Sequence, residues 1–370
     1  MKGKAYDYFS LFLEYNKWSS SIYAERKKPF VLPIIPIDFV FDLCTEVQTL
    51  FRDEPGILPI HSPCIIVGDL HGHILDLFRV IQEFGTPDHN HYVFLGDIVD
   101  RGEFSIETAI IVFLMKIVWP RRVSIIRGNH EFSMLCGQCG FYSQVIECYN
   151  EPKVFDSFIK AFSYIPLGAL IDETALCVHG GIGPNNHSIM QILEIQRPFD
   201  IFGVDIVIDG LIWSDPCDSI DMFLPSSRGI GYLFGPSASK TFIEKNQIKY
   251  IIRGHECVAG GLETHFNGSV ITVFTASNYC GIVNNKSAVL IIKDSKTHEV
   301  KRFPPLQYLL RENAIFRPLE ETKVPSLPPL SSRNTKNLIK EPKDIPSTSR
   351  NPRVKKPSAL HINKIRVFPK

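Results

Sequence analysis

The chain has 370 residues, 44% hydrophobic and 21% charged, with a formal net charge of +1. That balance belongs to an ordinary globular protein and excludes a fibrous or wholly disordered chain. Nine cysteines, an odd number spread singly along the sequence, fit reduced thiols better than a disulfide framework.

In chain order, MKGKAYDYFSLFLEYNKW comes first. Asp7 and Glu14 interrupt its apolar run and no small-residue cleavage site follows, so it lacks signal-peptide organisation and the expected compartment is the cytoplasm or nucleus. Its Tyr6, Phe9, Phe12, Leu13 and Trp18 suit a helical or partner-facing element. Between about residues 60 and 295 one local pattern recurs: a short β-branched apolar run ends in glycine and then in an acidic or metal-capable residue. CIIVGDLHG, YVFLGDIVDRG, VSIIRGNHE, ALCVHGG and YIIRGHE are the instances, each reading as a buried strand that runs into a loop. After the first, Ile74, Leu77, Phe78, Ile81 and Phe84 fall at helical spacing with Gly85 as a stop. After the second, SIETAIIVFLMKIVWP reads as a helix opened by Ser105 and closed by Pro120. It carries Glu107 and Lys116 and is shorter than the roughly 18 to 20 apolar residues that cross a bilayer, so it is predicted to be a buried helix and no membrane span is expected.

Strand, helix, strand, helix is the pattern of an α/β fold, whose ligands sit at the carboxyl ends of the strands. The final 52 residues differ: from Leu319 to Lys370, 12 Lys and Arg accompany 4 Asp and Glu and eight prolines, so this stretch carries about +8 and the remainder about −7. The expected organisation is a helical extension over 1–49, a folded domain over 50–318 and a disordered basic, proline-rich tail over 319–370.

The five loops bring chemistry together. Asp69, His71, Asp97, Asn129, His179 and His255 offer carboxylate, carboxamide and imidazole groups, a set suited to manganese, iron or zinc rather than calcium or magnesium. With Asp97 bridging, six such ligands suffice for two metals, the arrangement used for in-line displacement at phosphorus. Any one of these residues alone would be an ordinary turn or surface group; five loops ending this way argue for one site.

As a set, GDLHGH, GDIVDRG, RGNHE, HGGI, WSDP, SRG, RGHE and SNYCG resemble the phosphoprotein phosphatases, the metal-dependent serine/threonine phosphatases of the type 1, 2A and 2B branches, over roughly residues 50–293. The first three motifs also fit the wider metallophosphoesterases; WSDP, the SRG arginine and SNYC narrow the match. The resemblance implies a calcineurin-like β-sandwich flanked by helices, with the dimetal site at the strand ends. It implies that Asp69, His71 and Asp97 hold one ion, manganese foremost, and that Asp97, Asn129, His179 and His255 hold the other. It implies further that Arg101, Asn129 and Arg228 grip the phosphoryl group with Tyr279 at the rim, and that His130, charged by Asp100, is the general acid. Hydroxide activated by the two metals would then attack phosphoserine or phosphothreonine. Two other readings stand beside this one: hydrolysis of a small phosphoester such as a dinucleoside polyphosphate, and a non-catalytic scaffold.

Three departures from the family pattern stand out. Gly254 and Glu256 flank His255 where a small residue and glutamine are usual; Ser277 replaces the proline before Asn278; Ile282 replaces a glutamate at the rim. An acid at 256 could raise the basicity of His255 or face solvent, and the change at 277 could alter loop rigidity. Tyr250 and Thr264 stand where the type 1 branch offers apolar residues for its partners' docking peptides, so regulatory subunits are expected to meet an altered pocket, and Gln138 and Cys139 stand where that branch has an apolar and an aromatic groove residue; no nucleic-acid partner is expected. Cys136 and Cys139 form a CxxC, but nothing nearby completes a zinc site. KIRVF, ending at Phe368, lacks the spacing of a docking peptide.

Overall fold

The computed structural model describes residues 1–319. The expected tail beyond Leu319, with the KIRVF stretch, lies outside the described residues. Two mixed sheets stack face to face. In one, the strands run in the order Leu262–His265, Val270–Val273, Tyr250–Arg253, Ala175–Val178, Gly168–Ile171, Ile57–Ile60; in the other, His298–Phe303, Ser287–Ile292, Cys64–Val67, His91–Phe94, Val123–Ile125. Each contains a parallel block: Cys64–Val67, His91–Phe94 and Val123–Ile125 in the second, and Ala175–Val178, Tyr250–Arg253 and Val270–Val273 in the first.

Side chains alternate between faces along a strand, and here both faces are covered. Ile66 joins Val93, Cys177, Ile252 and Leu290 between the sheets, whereas Ile65 and Val67 pack outward under helices with Tyr92 and Phe94. Burial on both sides explains why these strands read as unbroken apolar runs. The outer face of the other sheet packs Leu176, Val178 and Ile251 against Ile208, Leu211, Ile212 and Phe242.

The Ile74–Phe84 helix ends at Gly85, whose φ of +83° supplies the left-handed stop. Ser105 is the first residue of the Ser105–Val118 helix rather than its cap; its N–H donates to Gln144 Oε1 at 2.7 Å. All fourteen residues of that helix are buried. Its charges are paired: Lys116 with Glu54 and the Pro120 and Val123 carbonyls, and Glu107 with Arg311 at 2.8 Å. No helix among the described residues is long and apolar enough to cross a membrane.

At the N-terminus the Lys2–Tyr15 helix buries Phe9 and Phe12 completely, the Phe9 ring lying 5.3 Å from Trp119 and Tyr8 lying 4.5 Å from Phe39. The strand Phe30–Ile34 then pairs in parallel with Ala314–Pro318, tying the first and last described segments together.

Candidate active site and metal centre

The loops leaving the parallel strands meet at one edge of the sandwich. His71, Asp97, Arg101, Asn129, His130, Arg228, His255 and Tyr279 line an open cavity of ≈ 500 Å³, with Trp213, Glu256 and Cys280 also on its wall. Asp69, Asp100 and His179 lie behind that surface, each at 0% exposure. Every residue singled out from the sequence as a site candidate is therefore in this edge.

The backbone is strained where the ligands sit. His71 (φ +43°), Asp97 (+50°), Asp100 (+71°), Arg101 (+67°) and His255 (+68°) all occupy the left-handed region. Such conformations cost on the order of 1–3 kcal/mol each and persist where the surroundings enforce them. Close backbone approach is also required: a Cβ on Gly128 would stand 2.2 Å from Asp97 Oδ1, and one on Gly254 would stand 2.2 Å from Asp69 Oδ1.

Two ligand groups share one carboxylate. His71 Nε2 lies 3.4 Å from Asp97 Oδ2 and 3.8 Å from Asp69 Oδ2. His179 Nε2 lies 3.3 Å from the same Asp97 oxygen, 2.8 Å from Asn129 Oδ1 and 3.2 Å from His255 Nδ1, with Asn129 Oδ1 3.0 Å from His255 Nδ1. Donors bound to one ion at about 2.1 Å stand about 3.0–3.4 Å apart, so most of these separations suit divalent cations, with Asp69 having to draw closer to His71 and Asn129 to part slightly from His179. The ring tautomers fit as well. Only a nitrogen carrying hydrogen can meet a carbonyl, so His71 Nδ1 donates to Val99 O at 2.9 Å and His179 Nδ1 donates to Leu95 O at 2.8 Å, leaving each Nε2 free for a metal. Charge agrees with geometry. Burial lifts the Asp69 carboxyl to about 7 and drops His71 to about 3. Burial opposes protonation of His179, yet Asp97 and Asp69 hold it up at about 9. The raised Asp69 and His179 values mark crowded, buried carboxylate charge that a divalent cation would balance.

His130 adjoins the first group, its ring 4.8 Å from that of His71, but is tied to a different carboxylate. Its Nδ1 donates to Asp100 Oδ2 at 2.7 Å, and its backbone N–H donates to Asp97 Oδ1 at 2.9 Å. Burial works against its protonation, but Asp97 and the Asp100 hydrogen bond raise its pKa above the ordinary imidazole value. Arg228 Nε donates to Asp215 Oδ2 at 2.6 Å, and Asp215 Oδ1 accepts from Arg253 Nη2 at 2.7 Å. The Arg101 side chain is exposed at the mouth. Tyr279 packs edge-on against Phe274 at 5.2 Å and tilts over His71 at 5.2 Å.

The departures resolve physically. Glu256 neither faces only solvent nor supports His255: its Oε2 accepts from Arg253 Nη1 at 2.7 Å. Ser277 compensates for the missing proline with hydrogen bonds, its N–H and hydroxyl donating to Asp76 Oδ2 at 2.8 and 3.1 Å while the hydroxyl accepts from Leu306 N–H. Sequence reading missed Glu131. Its buried carboxylate accepts from the N–H groups of Asp97 (2.8 Å), Gly128 (2.9 Å) and Ile98 (2.8 Å), joining the RGNHE and GDIVD loops. The clue was its place two residues after a ligand, in a strand-end loop whose other polar side chains had roles.

Two groups of candidate metal ligands sharing the Asp97 carboxylate thus stand beside an imidazole–carboxylate pair and two arginines at the strand ends of a sandwich. Residues 62–259 match the family model described as calcineurin-like phosphoesterase. The catalytic subunit of serine/threonine-protein phosphatase 4 from Saccharomyces cerevisiae is 37% identical over 273 residues, spanning 74% of this chain and 88% of that protein. Serine/threonine-protein phosphatase BSL2 from Arabidopsis thaliana is 37% identical over 297 residues, 76% of this chain, which spans only 29% of that longer protein. A solved Saccharomyces cerevisiae protein serine/threonine phosphatase, with similarity to human phosphatase PP5, superposes with a TM-score of 0.68 at 28% identity, covering 74% of this chain and 94% of that one. The chain belongs to the calcineurin-like phosphoesterases, in the serine/threonine-protein phosphatase family. The family model and the histidine–aspartate cluster together support use of divalent metal ions.

Proposed function

We propose that this chain hydrolyses phosphoserine and phosphothreonine in proteins, with two divalent cations, manganese foremost, and with His130 as the acid that protonates the departing serine or threonine oxygen. Asp69, His71 and Asp97 would hold one cation, and Asp97, Asn129, His179 and His255 the other. Bound there, the pair would supply a water made acidic near neutral pH and positive charge against the phosphoryl oxygens.

The chain's own residues do the rest. Arg101 and Arg228 present planar forks that match a dianionic phosphoryl group, and Asn129 reaches the same oxygens. Asp215, braced by Arg253, fixes the Arg228 guanidinium. Tyr279 closes one side of the mouth. The observation that carries the reading is the 2.7 Å contact between His130 Nδ1 and Asp100, which leaves the other ring nitrogen free and favours the imidazolium. An alkoxide is a poor leaving group, so this proton matters most for serine and threonine esters. Action in the cytoplasm or nucleus, with regulatory subunits steering it, belongs to the same reading.

His130→Asn tests it. Bound manganese should be unchanged while turnover of a phosphoserine peptide falls by about 10² to 10⁴-fold, the usual contribution of a positioned acid. Loss of metal together with activity would make His130 a ligand and overturn the assignment.

A further inference from the structure

Behind His130 a third donor group gathers, separate from the metal ligands already described. The Cys139 thiol comes together with the His130 imidazole and the Asp100 carboxylate, their donor atoms all within 4.8 Å of one another. The CxxC that contains Cys139 is not a unit in space. Cys136 is buried with its Sγ–H donating to Phe132 O at 3.1 Å, and both thiols are free. Cys139 is only partly buried, on the loop joining the Ser133–Cys136 and Phe141–Tyr149 helices.

That loop is fixed against Asp100 from both sides. The Arg101 N–H donates to Cys139 O at 3.1 Å, and the Phe141 N–H donates to Asp100 Oδ1 at 2.9 Å. Between them Gly140, at φ +128°, makes a turn other residues would resist. The thiol is therefore held in place beside the acid.

We infer that Asp100, His130 and Cys139 form an inhibitory zinc site. Three protein ligands of the Cys, His and carboxylate classes with a fourth position open to water make a tetrahedral zinc centre. Around zinc, nitrogen and oxygen donors stand about 3.3 Å apart, so the 2.7 Å hydrogen bond between His130 and Asp100 must open by about half an ångström. The Cys139 sulfur, within 4.8 Å of both partners, must come to about 3.5 Å from them to share the ion. Zinc–sulfur and zinc–nitrogen bonds form as the thiol proton and the Nδ1 proton leave to solvent; no oxidant takes part. Thiolate is a soft ligand, so zinc is favoured here over manganese or magnesium. The thiolate is what sets this site apart from the carboxylate-bridged pair, whose ligands also suit zinc.

The inhibitory consequence rests on His130 acting as the acid. Zinc on Nδ1 displaces the Asp100 hydrogen bond and leaves a neutral ring whose remaining N–H is a poor proton donor. Esters with poor leaving groups, such as phosphoserine, should suffer more than p-nitrophenyl phosphate, whose leaving group departs without a proton.

The test uses the full chain loaded with manganese. Added cobalt(II), a spectroscopic stand-in for zinc, should produce a thiolate-to-cobalt charge-transfer band in the near ultraviolet. That band should vanish in Cys139→Ser and persist in Cys280→Ser, a partly exposed thiol of the cavity wall. Zinc titrations of phosphoserine-peptide hydrolysis should show half-inhibition moved roughly tenfold or more to higher zinc in Cys139→Ser, whose activity without zinc stays at the wild-type level. A band or an inhibition curve unchanged by Cys139→Ser overturns the site. A Cys139-dependent band with equal inhibition of both substrates upholds the zinc site and sinks the acid role of His130 instead.

Discussion

Replacing Glu131 by glutamine asks whether the glutamate of RGNHE holds the centre without touching metal or substrate. Its two oxygens accept three backbone hydrogen bonds, Oε2 from Asp97 and Gly128 and Oε1 from Ile98. Glutamine keeps one acceptor and turns the other into an NH₂. With its oxygen on the Asp97 and Gly128 side, the NH₂ meets the Ile98 N–H head-on; reversed, two donors lose their partner. One buried donor left unpaired costs about 1–3 kcal/mol, and losing the charge on two retained bonds adds about 0.5–1 kcal/mol each. Part of this is offset, because burial and the nearby Asp97 raise the Glu131 pKa, so its charge is itself unfavourable there. The net expectation is a loss of about 2–4 kcal/mol in urea unfolding, with manganese affinity down about 10 to 100-fold in equilibrium dialysis. Unfolding within about 0.5 kcal/mol of wild type, with unchanged manganese affinity, would refute the reasoning.

Arg253→Lys should raise KM for a phosphopeptide roughly tenfold with a smaller effect on kcat. One ammonium cannot reach Gly180 O, Ser214 O, Asp215 and Glu256 together, and Asp215 then loses its hold on Arg228; unaltered steady-state constants would count against that relay. In a pH profile, His130 works protonated, so activity is present below its pKa and lost as pH rises through it. Its pKa is raised, so the alkaline limb of kcat should lie above ordinary imidazole titration, and Asp100→Asn should move that limb to lower pH. Phe9→Ala should destabilise the chain by about 3–5 kcal/mol in thermal or urea unfolding, because its fully buried ring packs on Trp119; a negligible change would mean that the first helix adds little to the fold.

What the sequence disclosed and what it hid follow from where the signal lies. The five strand-to-loop transitions were legible because strands buried on both faces give unbroken apolar runs, and their loops carry uncommon polar residues at the rim. The flanking strands were not: Ile57–Ile60 contains Pro59, and Leu262–His265 buries only Leu262 of its four residues, so no apolar run or period emerges. The ligand set was readable as residue types, but its strained backbone was not. A left-handed φ at His71, Asp97, Asp100, Arg101 and His255 has no compositional mark, because glycine is the residue that usually advertises it. The same limit explains Glu131 and Cys139. Each lies two residues or more past the motif's chemistry, and its role is set by contacts across 30 or more positions, as in Ile98 N–H donating to Glu131. In RGNHE, asparagine sits with the ligands while histidine keeps a carboxylate partner, and glutamate binds the two loops that make this division possible. If that division is correct, the metal affinity should respond to Glu131 and the leaving-group dependence to His130, with neither change reproducing the other.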